Sequence, residues 1–350
     1  MDDALRDEAL EAVEEIFGDR LKRRPTEGEA GSEGGGGALA LVSPISAEEV
    51  ERLARVAGRF SLPLIGLGAG TAREAASRRG AVLVRFDLMG GARFPGLKDE
   101  LRVEAEPGTS WLELDDNLRT RGQGLAVYPT SAPRATVGGW LAMDGLGVGS
   151  YEYGWLSENV LSADVVLPGG GRRTLRGEEL RAFLGKRGEE GLVVGAALRT
   201  RPAETDMPFG AVFDDPGSLT AATASLFEAG VPLWHLALIN PRMSSARGLG
   251  GHYLLFGAYP NERAAYVEET LVKAFRARGG RALPTSDAYR AWGERFFPVA
   301  PSRPTPVAKR ALVPLAELAQ VLDGARHPPT DAVQGTVARS GQVLLLTLEE

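Results

Sequence analysis

The stretch "ATVGGWLAMDGLGVGSYEYG", residues 135–154, holds six glycines in twenty residues. Glycine loses more backbone freedom on folding than any other residue. A run this rich is not an ordinary helix or strand. It reads as a tight set of turns, or as backbone that must approach something closely. A second cluster, "LIGLGAGT" (64–71), follows an apolar strand. Successive amides in such a loop make an anion-binding nest suited to phosphate, although a turn with no ligand would use the same residues.

Composition narrows the classes of partner and chemistry. The 350 residues allow two domains or one large one. A net charge of −6 gives no electrostatic case for nucleic acid or an anionic membrane. The absence of cysteine excludes disulfides, thiolate nucleophiles, cysteine-ligated metals and cysteinyl-linked cofactors. No apolar run approaches the 18 residues of a membrane span, and "MDDALRDEAL" is acidic rather than signal-like. The expected compartment is the cytoplasm.

Periodicity divides the chain into three parts. Residues 1–37 read as an N-terminal helix, with Leu10, Val13 and Phe17 on one face, followed by a flexible linker, "RRPTEGEAGSEGGGG", to be left out of the fold. Residues 38–202 alternate short strands with helices. "SAEEVERLARVAG" is a helix with Ser46 as N-cap and Glu49 completing a capping box, and "SWLELDDNLRTRG" is a helix with Trp111, Leu114 and Leu118 on one face. "SADVVLPGGGRRTLRG" reads as strand–turn–strand, and Pro202 closes a last strand. Residues 203–350 read β-α-β-β-α, then a Pro-rich excursion, a helix near "PLAELAQVLDGA" and a C-terminal strand, the pattern of an α+β sandwich.

Gly66-x-Gly68 followed by a strand ending in Asp87 invites a dinucleotide-binding Rossmann reading, but the third fingerprint position is Thr71. The order of segments points elsewhere. "VSPISAEEVERLARVAGRFSLPLIGLGAGT", "VRFDLMGG", "LRVEAEPGTSWLELDDNLRTRG", "YPTSAPRATVGGWLAMDGLGVGSYEYGWLSENVLSADVVLPGG" and "EEGLVVGAALRTRP" occur in one order from about Val42 to Pro202. Together they resemble the FAD-linked oxidases, flavoproteins of the vanillyl-alcohol oxidase and p-cresol methylhydroxylase type. The fold implied is α+β: a two-subdomain FAD-binding domain followed by a smaller, ferredoxin-like cap.

The resemblance also implies cofactor contacts. Gly66, Leu67, Gly68, Ala69, Gly70 and Thr71 would wrap the FAD diphosphate. Thr136, Val137, Gly138 and Gly139, with Gly145, would run beside the flavin. Pro129, Thr130 and Ser131 would lie along the cofactor, Tyr153 and Gly154 would close the turn before the next helix, and Val193 or Val194 would offer backbone to the adenine. Attachment is expected to be noncovalent, since His235, His252 and His327 all lie outside 42–202. A linking histidine from the second domain stays open.

Within the family, "WGERFFPVAPSRPTPVAKRALVPLAELAQVL" is most similar to the glycolate oxidase and D-2-hydroxyacid dehydrogenase branch. That likeness implies Arg295 and Lys309 as ligands of a substrate carboxylate, against the plain alternative of surface salt bridges. The His-rich metal run of those dehydrogenases has no counterpart in "AVQGTVARSGQVLLLTLEE", so no metal site is expected. Two functional readings follow. One is an oxidoreductase passing hydride from a small 2-hydroxy acid to FAD. The other is a non-catalytic accessory subunit docking a larger flavoprotein and an iron–sulfur partner. The peptidoglycan-precursor reductase shares the FAD domain, but nothing beyond that domain points to it.

Overall fold

The computed structural model describes residues 3–26, 37–69, 80–94, 100–297, 309–325 and 331–348. The chain opens with α1 (Asp3–Phe17) and β1 (Leu21–Arg23). Next come β2 (Ala40–Val42), α2 (Ala47–Phe60), β3 (Leu64–Leu67) and β4 (Val82–Arg85). Strands β2, β4 and β3 are parallel, β1 adds antiparallel to β2, and the order is β1-β2-β4-β3. Parallel strands need a crossover, and α2 supplies it between β2 and β3. It buries Val50, Leu53, Ala54 and Ala57. Ser46 Oγ accepts from the Glu49 amide at 3.3 Å, half of the expected capping box. The other half is diverted: the Glu49 carboxylate accepts from the Ile45 amide at 3.0 Å and takes a two-pronged contact from Arg20 at 2.6 Å.

Arg20 is there because the N-terminal helix, whose packing the sequence leaves open, and the first residues of the expected linker lie against the body of the fold. Ala9, Leu10, Val13 and Phe17 of α1 share a core with α2 and the first sheet, and Arg23, the first residue of the expected linker, pairs with Ala40. The apolar stripe of α1 leaves water by packing on α2, and β1 covers the open edge of β2. Residues 27–36 of the expected linker lie outside the described residues.

The second sheet contains β5 (Ala92–Arg93), β6 (Arg102–Ala105), β7 (Gln123–Leu125), β8 (Val160–Val166), β9 (Arg172–Leu175) and β10 (Leu192–Pro202). Its order is β5-β6-β10-β8-β9, with β7 on the far end of β10, and β8–β9 is the expected hairpin. Between them run α3 (Trp111–Arg119), α4 (Val137–Met143), α5 (Ser150–Tyr153) and α6 (Gly177–Phe183). Helix α3 buries Trp111, Leu114 and Leu118 as its spacing dictates. The glycine run corrects its sequence reading, because two turns of helix, α4, lie inside it. Thr136 caps α4, its Oγ accepting from the Gly139 amide at 3.4 Å, and Val137 and Leu141 are buried.

The third sheet begins as β11 (Asp206–Phe213), α7 (Pro216–Glu228), β12 (His235–Ile239), α8 (Pro241–Ala246) and β13 (Tyr253–Pro260). Then follow α9 (Ala264–Ala277), β14 (Arg281–Ala282), α10 (Thr285–Gly293), β15 (Arg310–Pro314), β16 (Ala332–Val337) and β17 (Gln342–Leu348). The order β14-β11-β13-β12-β16-β17-β15 contains the ferredoxin-like four-strand arrangement, extended on the β12 edge by the β16–β17 hairpin and by β15 beyond it. The sheet docks on the second sheet's loops: Trp234 Nε1 donates to the Ala126 carbonyl at 3.1 Å, and the Phe297 amide to the Thr130 carbonyl at 2.9 Å.

Candidate functional site

The two glycine clusters come together. β3 runs out into Gly68 and Ala69, and Gly68 lies against α4. A methyl on Gly68 would stand 2.9 Å from Thr136 Oγ1 and 3.1 Å from Gly139 Cα. These backbones form one wall of a cleft that is open to solvent. Phe86, Trp140, Met143, Phe183 and Leu192 give it apolar faces, and Arg187 and Arg310 give it positive charge. Among the described residues lining it there is no carboxylate and no imidazole.

Of the residues expected at the cofactor, Gly66, Leu67, Gly68, Ala69, Ser131, Thr136, Gly138, Gly139 and Val193 line this cleft. Gly70 and Thr71 lie outside the described residues. Val137 is in the core beneath α4, and Val194 points to the first sheet's core, as strand alternation requires of Val193's neighbour. Pro129 and Thr130 lie beneath the third sheet's segment ending at Phe297. Tyr153 ends α5, and Gly154, with φ of 78°, turns the chain out of it. The Gly145 amide is held by Asp144 Oδ1 at 2.8 Å.

Several of these glycines are required by the protein itself rather than by a ligand. A methyl on Gly138 would lie 2.7 Å from Pro107 Cβ, and one on Gly147 would lie 2.1 Å from the Tyr128 carbonyl oxygen. Real Cβ contacts do not come that close, so the run is packed backbone to backbone as well as facing the cleft.

The expected substrate ligands lie elsewhere. Arg295 is stacked over Trp292 and Phe296, 4.6 and 4.2 Å from their ring centres, and its Nε donates to Tyr128 Oη at 3.1 Å. Arg247 holds that turn, donating Nη2 to the Phe296 carbonyl at 2.9 Å and to Gln334 Oε1 at 2.7 Å. Burial pulls the Arg247 guanidinium down to about 10. Lys309 precedes β15, its carbonyl accepting from the Thr347 amide at 3.1 Å. Neither Arg295 nor Lys309 lines the cleft; Arg310, one residue on, does. His235 is fully buried with both ring nitrogens unpartnered, and desolvation, helped by Arg295, pushes it down to about 3. His252 is exposed, with Nδ1 4.0 Å from Asp214.

The lining combines bare backbone, aromatic and aliphatic faces and guanidinium groups, which suits a ligand that carries both flat rings and an anionic group. The family comparison agrees. Residues 38–176 match the FAD binding domain family. This segment is an FAD-binding domain. Its fold is the p-cresol methylhydroxylase type: a 4-ethylphenol oxidase from Gulosibacter chungangensis superposes with a TM-score of 0.79 over 99% of this chain and 83% of that one, at 16% identity. A substrate-bound p-cresol methylhydroxylase gives 0.75 over 100% and 84%, at 13% identity. By sequence, the chain is 31% identical over 221 residues to a probable mitochondrial D-lactate dehydrogenase of Danio rerio, covering 59% of this chain and 44% of that protein. It is 24% identical over 258 residues to the mitochondrial D-lactate dehydrogenase [cytochrome] 1 of Saccharomyces cerevisiae, covering 69% and 42%. The chain thus spans less than half the length of these relatives.

FAD is accordingly the cofactor this domain accommodates. Sequence reasoning did not single out Arg187 and Arg310. Alternation along β15 could have nominated one of Lys309 and Arg310, but only the tertiary structure says which faces the cleft.

Proposed function

We propose that the chain is an FAD-linked oxidoreductase, or a subunit of one, that takes a small 2-hydroxy acid and binds FAD noncovalently. The observation that carries this is the cleft lined by Gly66–Ala69 and Thr136–Gly139, both within the segment matching the FAD-binding family, and also by Arg310 of the third sheet. Dehydrogenases named for D-lactate among the sequence relatives support a hydroxy-acid substrate. Bound FAD supplies the hydride acceptor. The chain's own part is to hold the cofactor with the two glycine loops and to bring an anionic substrate to guanidinium groups. Arg295, in its aromatic stack beside Tyr128, and Lys309 remain the residues proposed for the substrate carboxylate.

A second reading, the accessory subunit beside a larger flavoprotein and an iron–sulfur partner, is favoured by one feature. Oxidation of a hydroxy acid needs a group to take the hydroxyl proton, and the described cleft residues include neither imidazole nor carboxylate. His235 is sealed away and His252 is exposed beside Asp214. The deciding experiment is an absorbance spectrum of the purified, FAD-loaded protein under anaerobic conditions, with glycolate, D-lactate and D-2-hydroxyglutarate added in turn. We expect flavin bleaching with one of the acids. A spectrum that stays oxidised with all of them overturns stand-alone catalysis and transfers the weight to the subunit reading.

A further inference from the structure

We infer that Arg247 and Gln334 are positioning residues for FAD binding: they fix the turn 294–297, and through it the loop 128–131 that leads into the cleft wall. Neither of them lines the cleft. Arg247 follows α8 as its C-cap, and Gln334 lies in β16, 1% exposed.

The turn follows directly on α10, where a helix runs out of backbone donors for its last carbonyls. Side chains from elsewhere take them. Arg247 Nη1 donates to the Glu294 carbonyl, and Nη2 donates to the Phe296 carbonyl at 2.9 Å. Gln334 Nε2 donates to the Arg295 carbonyl between them at 2.8 Å, while its Oε1 accepts from Arg247 Nη2 at 2.7 Å. Two side chains from distant parts of the chain thus close on three successive carbonyls. A guanidinium also suits the negative end of a helix. The bracket carries a cost, because Arg247 Nε is shut from solvent without a partner, and burial lowers the group to about 10.

The loop 128–131 rests on this bracketed turn. Arg295 Nε donates to Tyr128 Oη at 3.1 Å, the Phe296 ring lies 6.3 Å from that of Tyr128, and the Phe297 amide donates to the Thr130 carbonyl at 2.9 Å. Within the loop, the Pro129 carbonyl accepts from the Ala132 amide, and the Ser131 carbonyl from those of Arg134 and Ala135. Among the described residues, the Thr130 carbonyl is the one of 129–131 that bonds beyond the loop, and Phe297 takes it. Ser131, next along, lines the cleft, as do Ala135 and Thr136. A turn free to shift would let Thr130 shift, and Ser131 with it. By linkage, whatever the bracket adds to FAD binding, bound FAD returns as order in the turn. The inference rests on the FAD-binding domain and not on the substrate proposed above.

The test uses the full chain with Arg247→Met, Gln334→Met and the double variant, folding being checked by circular dichroism and by the melting temperature of the apoprotein. FAD affinity is read by flavin fluorescence well below that temperature. Each single variant should weaken FAD roughly fivefold or more, and the double no further than the weaker-binding single, because both act through one turn. Arg247→Lys, which keeps a charged donor for the carbonyls, should recover part of the loss. Hydrogen exchange of the parent needs no variant: the Phe297 amide should exchange roughly fivefold more slowly once FAD is bound. Folded variants that bind FAD as the parent does, whatever their melting temperatures, would reduce the bracket to a structural role and overturn the inference. Losses that simply add in the double variant, or exchange at Phe297 that FAD leaves unchanged, would overturn it too. No hydroxy acid enters these measurements, so the substrate proposal can fail while this one stands.

Discussion

His235 shows how one residue's setting can be read as a pH response. Its ring lies 5.8 Å from that of Trp292, fully buried, with neither nitrogen hydrogen-bonded. Burial, with Arg295 adding to it, lowers its pKa from 6.5 to about 3. A depressed folded-state value means the unfolded chain binds the proton first as pH falls. The stabilisation from keeping His235 neutral is therefore complete above about pH 6.5 and is lost progressively as pH falls towards 3. Over that window one such group contributes a slope of about 1.4 kcal/mol per pH unit. His235→Leu, which removes two unsatisfied polar atoms, should hold its stability better than the parent at pH 4–5 and equal or exceed it at pH 7. Denaturant midpoints at a series of pH values measure this; parallel curves for parent and variant would show that the imidazole is not sealed from solvent protons.

The glycine contacts at the junction of β3 and α4 act at the scale of elements. Gly68 and Gly139 let the two backbones touch, and the touching pair is one wall of the cleft. Gly68→Ala places a methyl 2.9 Å from Thr136 Oγ1, the atom that caps α4. The cap can shift by a few tenths of an ångström, so a modest stability loss of about 1 kcal/mol is expected. FAD affinity should fall more, roughly tenfold, because the wall moves. Melting temperature and a fluorescence titration with FAD separate the two effects, and a variant that melts lower but binds FAD normally would detach this contact from the cofactor. Much at this scale was legible in the sequence. The start of α2, the buried face of α3 and the β8–β9 hairpin follow from local periodicity, capping and turn chemistry. Helix α4 was not, because its glycines argue against a helix, and only burial of Val137 and Leu141 with the Thr136 cap overrides that propensity.

The whole molecule is tied together by buried charge at the junction of the second and third sheets. Arg201, at the end of β10, is 2% exposed, lies 3.7 Å from the centre of the Trp234 ring and pairs with Asp206 at 2.9 Å. Asp206 also takes Arg119 at 3.1 Å, and Arg119 pairs with Asp115 at 2.9 Å, so β10, β11 and α3 share one network. Arg201→Leu removes one cation and the ring contact while leaving Asp206 with a single partner. We expect a loss of about 3 kcal/mol. We also expect calorimetry to resolve two transitions where the parent gives one, since the contact crosses the boundary between sheets. A single transition shifted by less than about 0.5 kcal/mol would mean that the network does not couple them.

By itself, the sequence determined the alternation of elements and the two glycine loops, because propensity, capping and turn chemistry are local and leave local marks, and the order of its motifs from about Val42 to Pro202 carried the FAD-binding resemblance. Only the tertiary structure decided that β1 completes the first sheet with α1 packed beside it, that Arg295 stacks on Trp292 and Phe296 and bonds Tyr128 rather than lining the cleft, and that Arg310 and not Lys309 lines the cleft with the glycines. The physical reason is common to all three. Which face of an element meets which neighbour depends on how whole sheets dock, and docking is set by buried area and charge summed over residues far apart in the chain.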